Sequence, residues 1–133
     1  MIFIDTGPFL AKRLSRDPYS KEAFAGWERL EKSNQRIATS NFILEELSTL
    51  LARRAGCAFS VHAIREIYNS PRLMILRPDL QDEISALGIM EKIGDPAISF
   101  TDYLSFAIMR KRHIRQAFTF DRHFAKAGFE IWE

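Results

Sequence analysis

The feature that most constrains this chain is the alternation of short apolar segments with longer amphipathic ones. We predict strands at residues 2–4, 36–39, 73–76, 117–120 and 129–132. Segments with apolar residues at helical spacing lie between them, and no two strands are joined by a tight hairpin signal. This alternation predicts an α/β fold, with a mainly parallel central sheet flanked by helices on both faces.

The size and composition of the chain are those of an ordinary globular protein. It has 133 residues, of which 47% are hydrophobic, and its single cysteine, Cys57, is expected to be a packed thiol. Such a length can bury a core without disulfides or structural zinc. Because no repeat or linker is visible, we expect one domain over residues 1–133. No apolar run approaches the roughly 20 residues of a membrane span, and the N-terminus is unlike a signal peptide, so we expect a cytoplasmic protein.

Basic residues are grouped along the chain, although the net charge is only +2. The largest group covers residues 110–115, and smaller groups lie at residues 12–16, 53–54 and 122–126. Lysine and arginine also favour the last turn of a helix, so a solvated helix end is one interpretation. The alternative is a surface for a phosphate backbone. We expect the group at 110–115 to hold such a ligand.

Two acidic residues directly follow predicted strands. Asp5 follows the first strand, and Asp121 follows the strand AFTF. Ligands of parallel α/β sheets bind outside the carboxyl ends of the strands, which is where both residues lie. Each aspartate could instead only cap the helix that comes after it.

Two more acids lie on predicted helices near the same sheet edge. Asp102 has the capping-box spacing from Ser99, yet it projects from the apolar side of its helix. Glu46 lies at the edge of an apolar stripe, whereas Glu45 points more nearly away from that stripe. We therefore expect Glu46 to reach the site and Glu45 to face solvent.

Four carboxylates that converge without a cation repel one another, and several would remain protonated. A hard divalent cation removes this difficulty, and Mg²⁺ or Mn²⁺ suits carboxylate and water ligands. Such a cation activates water and stabilises charge on a phosphoryl group. The four acids therefore point to metal-dependent hydrolysis of phosphodiester bonds.

Four sequence motifs carry a resemblance to a known family. FIDTGPFLA contains Asp5, TSNFILEELSTLLARR contains Glu46, ISFTDYLSFAIMRK contains Asp102, and AFTFDRHFAKAGFEIW contains Asp121. In this order and spacing the motifs resemble those of the PIN-domain ribonucleases, and among them the VapC-type toxins of toxin–antitoxin pairs. The resemblance covers essentially the whole chain, and none of the four acids is replaced.

The resemblance implies an endoribonuclease with Mg²⁺ or Mn²⁺ in the acidic pocket, a homodimer, and a cognate antitoxin whose tail blocks the pocket. We expect all four acids to bind the metal, with Asp5 and Asp102 as the principal ligands and Asp121 completing the site. Glu46 would also hold or deprotonate the attacking water. Thr6 and Thr119 would support the acids, unless they serve only turn and strand geometry.

Two other functions stay open on the sequence alone. A phosphohydrolase could use Asp5 as a nucleophile, but the second acid such enzymes place two residues later is Gly7 here. A non-catalytic module of the same fold could bind RNA or protein without cleaving it. His123 is interpreted as a surface histidine. The 11 phenylalanines are interpreted as core residues rather than as a platform for bases.

Overall fold

A computed structural model describes residues 1–133. Five strands alternate with seven helices along the chain. The order of elements is β1 (Ile2–Ile4), α1 (Thr6–Arg13), α2 (Ser20–Lys32), β2 (Ile37–Ser40), α3 (Asn41–Ala55), α4 (Cys57–Tyr68), β3 (Leu73–Leu76), α5 (Leu80–Ile93), α6 (Phe100–Lys111), β4 (Gln116–Phe118), α7 (His123–Lys126) and β5 (Glu130–Ile131). None of the helices combines the length and the apolar character that crossing a membrane requires.

The strands form one sheet in the order β3-β2-β1-β4-β5, and every neighbouring pair is parallel. The chain moves from β1 outward to β3, then returns past β1 to β4. Because crossovers between parallel strands are right-handed, α1 to α4 cover one face and α5 to α7 the other. The predicted parallel α/β architecture, with helices on both faces, is confirmed.

The core is centred on β1, whose three residues are fully buried. It extends through 28 buried residues that form one contiguous cluster on both sides of the sheet. Helix α2 lies so close to β4 that a Cβ atom at Gly26 would collide with the ring of Phe118. Glycine at this position therefore allows α2 to pack directly against the aromatic side chain.

Two local expectations are wrong. Strand β4 ends at Phe118 rather than at residue 120, because the hydroxyl of Thr119 accepts a hydrogen bond from the backbone N–H of Asp121 and turns the chain. Cys57 is exposed rather than packed. It is the first residue of α4, at the sharp turn made by Gly56, where little of the core reaches.

Candidate active site

One cleft of about 310 Å³ at the carboxyl edge of the sheet contains all four acids that the sequence singles out. The acids come from four different elements or turns, as the topology requires. The cleft is lined by Asp5, Glu46, Asp102 and Asp121, together with Thr6, Gly7, Leu10, Asp17, Tyr19, Leu50 and Phe120. No lysine or arginine lines it, so the field in the cleft is strongly negative.

Asp5 is the most enclosed of these acids, with a relative exposure of 6%. It occupies the N-cap position of α1, but its side chain makes no capping hydrogen bond. Instead, its Oδ2 accepts a 2.7 Å hydrogen bond from Oγ1 of Thr119. Burial raises the pKa of Asp5 to about 6, the Thr119 hydrogen bond opposes this shift, and the nearby Glu46 and Asp121 charges add to it. Capping is therefore not the role of this carboxylate.

Asp102 is best understood by comparison with a true capping box in the same protein. In α5, Asp79 accepts from the backbone of Asp82, and the Asp82 carboxylate accepts from the backbone N–H of Asp79 at 2.9 Å. In α6, Ser99 accepts from the Asp102 backbone at 3.1 Å, but the Asp102 carboxylate makes no return bond. The carboxylate of Asp102 is thus left to face the cleft.

The electrostatic environment of Asp102 disfavours its charged form. Burial and the neighbouring charges of Asp5, Asp121 and Glu46 raise its pKa to about 8. A hydrogen bond with the Asp121 side chain acts in the same direction. At neutral pH and without a cation, this cleft therefore retains protons.

Glu46 lies on the second turn of α3, at the open rim of the cleft. Oγ1 of Thr6 donates a 2.9 Å hydrogen bond to its Oε2. Glu45 is exposed and does not line the cleft, whereas Glu46 lines it, as helical periodicity predicts. Glu46 is exposed too, because its carboxylate lies at the open rim of the cleft and not at its buried end.

Asp121 is held by its own local hydrogen bonds. Its backbone N–H donates to Oγ1 of Thr119 at 2.9 Å, and its Oδ1 accepts from the backbone N–H of His123 at 2.9 Å. The Nδ1 atom of His123 lies 3.1 Å from Oδ2 of Asp121. His123 is therefore a direct partner of a site acid rather than an isolated surface histidine. The Asp-x-His spacing, which lets the ring fold back on the carboxylate, was the sequence signal for it.

The donor atoms around the cleft match the chemistry of a hard divalent cation. Ligand atoms of Asp102, Asp121 and His123 all lie within 4.8 Å of one another. The buried carboxylate of Asp5 belongs to the same cleft. Oxygen dominates this set, which favours Mg²⁺ or Mn²⁺ over softer metals.

The basic group at residues 110–115 does not lie beside the acids. Asp102 is in the first turn of α6, and Arg110 is in the last, about 12 Å further along the helix axis. Arg110 donates to the carbonyl of Ala127, and Lys111 pairs with Asp82 at 3.2 Å. Helix α6 thus carries this group to the edge of the sheet opposite the acids, so the group does not line the cleft.

A different basic surface adjoins the cleft. Arg13, Arg16 and Arg54 line a groove of about 390 Å³, and Asp17 lines both this groove and the acidic cleft. The sequence placed these arginines in two unconnected groups. The structure brings them together because α1 and α3 pack against each other.

Comparison with known families agrees with this arrangement. The family model for the PIN domain matches residues 2–130. The chain belongs to the PIN-domain family. A relative from Mycobacterium tuberculosis, named 23S rRNA-specific endonuclease VapC20, is 34% identical over 131 residues. The match covers 97% of this chain and 95% of that protein, and the same relative occurs in two strains, CDC 1551 and H37Rv.

Two solved structures have the same fold. The crystal structure of M. tuberculosis VapC20, described as a sarcin–ricin loop cleaving toxin, superposes with a TM-score of 0.87 at 32% identity, covering 97% of this chain and 96% of that one. VapBC2 from Rickettsia felis, crystallised with a DNA fragment from its promoter, gives a TM-score of 0.73 at 18% identity, with coverage of 100% and 98%. At 18% identity, the comparison with VapBC2 shows only that the two proteins share a fold. The family that the four motifs predicted is thus confirmed.

Proposed function

We propose that residues 1–133 form one PIN domain that cleaves RNA endonucleolytically, using Mg²⁺ or Mn²⁺, as the toxin of a type II toxin–antitoxin pair. The observation that carries this proposal is the convergence of Asp5, Glu46, Asp102 and Asp121 in one cleft. The likeness to VapC20, an endonuclease by name, supports it. The extent of the domain is supported by the single contiguous core.

The metal would be held by Asp5, Asp102 and Asp121, with Glu46 within reach at the rim. This assignment fits the structure because the buried acids have raised pKa values, which a cation would lower again by replacing the bound protons. When bound, the cation offsets charge on the phosphate and makes water more acidic. Thr119 orients Asp5, and His123 orients Asp121.

Glu46 is assigned the proton-transfer role. In this step the water oxygen bonds to phosphorus, the water proton passes to the Glu46 carboxylate, and one P–O ester bond breaks. The leaving oxygen takes up a proton from solvent. Thr6 fixes the orientation of the Glu46 carboxylate through its 2.9 Å hydrogen bond.

The two alternative functions have less support. A side chain at position 7 would begin with a Cβ atom 3.2 Å from the Phe120 ring, so the glycine there leaves little room for the second acid of a phosphohydrolase. The non-catalytic module is distinguished by experiment, since it would bind RNA without cleaving it.

A homodimer is supported by an exposed apolar stripe on α5. The stripe consists of Leu80, Ile84, Leu87 and Met90, with relative exposures of 67%, 51%, 56% and 39%. Their spacing places them on one side of the helix. A two-fold axis beside α5 would bury the stripe against its own copy.

The antitoxin would place a basic side chain of its tail in the negative cleft. Both partners would act in the cytoplasm.

The relative's substrate defines the RNA to test first. A synthetic hairpin with the sarcin–ricin loop sequence and an unrelated hairpin are incubated with the protein in Mg²⁺, in Mn²⁺ and in EDTA, and the RNA ends are mapped. We expect cleavage with metal, none in EDTA, and none with Asp5→Asn. Cleavage in EDTA, or binding with no cleavage of any RNA in either metal, would overturn the proposed function.

A further inference from the structure

The acidic cleft cannot hold an RNA strand by itself. Every charged residue that lines it is acidic, so it repels the phosphates on either side of the scissile one. A cation in the cleft would offset this repulsion only for the phosphate nearest to it. The strand must therefore meet positive charge immediately outside, and the contiguous groove that begins at Asp17 is where arginines are found.

Two of the three arginines in this groove are available to a ligand. Arg13 is occupied, because its guanidinium donates to the carbonyl of Phe9 and pairs with Glu66 at 3.2 Å. Arg16 is exposed and makes no hydrogen bond or ion pair. Arg54 is half-exposed and lies 3.6 Å from Asp17, a loose contact that leaves donors free.

An aromatic side chain, Tyr19, lines the cleft two residues after Asp17, the residue that the cleft shares with this groove. The ring of Tyr19 stacks on Phe120, with centroids 4.6 Å apart and an interplanar angle of 6°. One face of Tyr19 is thereby covered, yet the residue remains 47% exposed. Its backbone N–H donates to Oδ1 of Asp17, the residue that lines both cavities, and this places Tyr19 beside the entrance to the groove. A flat ring held in this way loses little conformational entropy when a base stacks on it.

We propose that Tyr19 stacks a base next to the scissile phosphate, and that Arg16 and Arg54 bind the phosphates that follow. This inference rests on the proposed function, and it gives the strand a direction out of the cleft toward the loop between α1 and α2. Bases of RNA loops are unstacked and available for such contacts. Phe120, one of the phenylalanines interpreted as core residues, would then also support a ring that stacks on a base.

The test measures binding of a fluorescein-labelled 12-nucleotide single-stranded RNA of mixed sequence. It uses the full chain with Mg²⁺ and the Glu46→Gln substitution as parent, with gel analysis confirming that the RNA stays intact. The Arg16→Gln/Arg54→Gln pair is compared with Arg112→Gln/Arg115→Gln, which removes the same charge at the opposite edge of the sheet. Arg16→Gln alone is included, because Arg54 also contacts Asp17.

We expect the Arg16/Arg54 pair to weaken binding about 10-fold near 0.1 M salt. The slope of log Kd against log salt should fall by roughly 1.4, at about 0.7 per phosphate contact on a single strand. Arg16→Gln alone should lower the slope by about half as much. The Arg112/Arg115 pair should leave both quantities unchanged. An unchanged slope in the Arg16/Arg54 pair, or an equal fall in the control pair, would overturn the groove assignment.

Tyr19 is tested with 2-aminopurine placed at successive positions of the same RNA, because stacking quenches its fluorescence. Tyr19→Leu should abolish the quenching at one position and weaken binding about 5-fold or more, whereas Tyr19→Trp should retain both. Equal quenching in parent and Tyr19→Leu would overturn the stacking assignment. If the wild-type protein cleaves RNA while all these variants bind as the parent does, only this inference fails. If the parent binds no RNA, the proposed function fails with it.

Discussion

Thr119 Oγ1 donates a 2.7 Å hydrogen bond to Oδ2 of Asp5, across 114 residues of sequence. The same oxygen accepts the backbone N–H of Asp121 at 2.9 Å. One hydroxyl group therefore connects the acid after β1 with the acid after β4. It also ends strand β4 early and sets the direction in which the chain leaves the sheet.

Replacing Thr119 tests how much its two hydrogen bonds, to Asp5 and to Asp121, contribute to RNA cleavage. Thr119→Val keeps the shape of the side chain but removes the donor and the acceptor, so the pKa of Asp5 should rise further and Asp121 should lose its backbone partner. We expect RNA cleavage to fall about 10- to 100-fold, as is typical when a hydrogen-bond partner of a metal ligand is lost. Thr119→Ser retains the hydroxyl and should keep most of the activity. Equal losses in both variants would show that packing of the methyl group matters instead.

Glu46 and its neighbour provide a matched pair for the proton-transfer role. Glu46→Gln removes the carboxylate beside Thr6 and should lower kcat about 10²- to 10⁴-fold with little change in KM. Glu45→Gln makes the same chemical change one residue away, outside the cleft, and should leave kcat within about twofold. The measurement is steady-state cleavage of the hairpin RNA in Mg²⁺. A larger loss with Glu45→Gln would contradict the assignment.

Most of the fold and the location of the acids could be predicted because both depend on local pattern. Short apolar segments between helices indicate parallel strands, and acids that follow such strands meet at one edge whatever the details of packing. Glu46 was separated from Glu45 by helical periodicity alone. The family resemblance added the reaction and the partners, which no local pattern contains.

What could not be predicted depends on how helices are oriented and packed. Arg110 and Asp102 share one helix, and which edge of the sheet each end of that helix reaches depends on how the helix packs. Arg16 and Arg54 become neighbours only through the packing of distant segments. Likewise, Tyr19 and Phe120 are about 100 residues apart, so their stacking is a tertiary feature that residue spacing does not reveal.

The raised pKa values of Asp5 and Asp102 make the metal-free protein sensitive to pH. In the folded state these values are about 6 and about 8, against 3.8 for an ordinary aspartate. Between about pH 4 and pH 8 the folded state thus binds more protons than the unfolded state, so stability falls as pH rises through this range. Denaturant unfolding in EDTA should show this decline, and Mg²⁺ should reverse it most strongly at the upper end.

The Asp102→Asn variant is the control for this pH dependence, since it removes the group with the highest pKa. Its stability in EDTA should change less between pH 6 and pH 8 than that of the wild type. Glu45→Gln, which alters an exposed carboxylate away from the cleft, should follow the wild-type curve. A wild-type stability that rises over this range would contradict the assignment of the two acids.

The apolar stripe on α5 predicts the oligomeric state. Leu87→Glu places a charge at the centre of the stripe, where it would have to be desolvated in a dimer. We expect the wild type to sediment as a dimer at micromolar concentration and Leu87→Glu to sediment as a monomer. Gln81→Glu introduces a similar charge on the same helix at an exposed polar position and should remain dimeric. A monomeric wild type, or a dimeric Leu87→Glu, would exclude this interface.

Removing one acid from the cleft should separate stability from activity. Asp5→Asn is nearly isosteric and removes one of the charges that repel one another, so the metal-free protein at pH 8 should gain about 1 kcal/mol, or roughly 3–5 °C in Tm. The same variant should lose RNA cleavage and most of the Tm increase that Mg²⁺ gives the wild type, because a ligand is missing. Thermal unfolding with Mg²⁺ and with EDTA, beside cleavage assays, measures both effects.

Asp95→Asn is the control, because this aspartate pairs with Lys126 outside the cleft and should affect neither the Mg²⁺ response nor cleavage. If Asp5→Asn lowers the stability of the metal-free protein, the carboxylate is held by favourable contacts rather than strained by its neighbours. A full Mg²⁺ response in Asp5→Asn would remove it from the metal site.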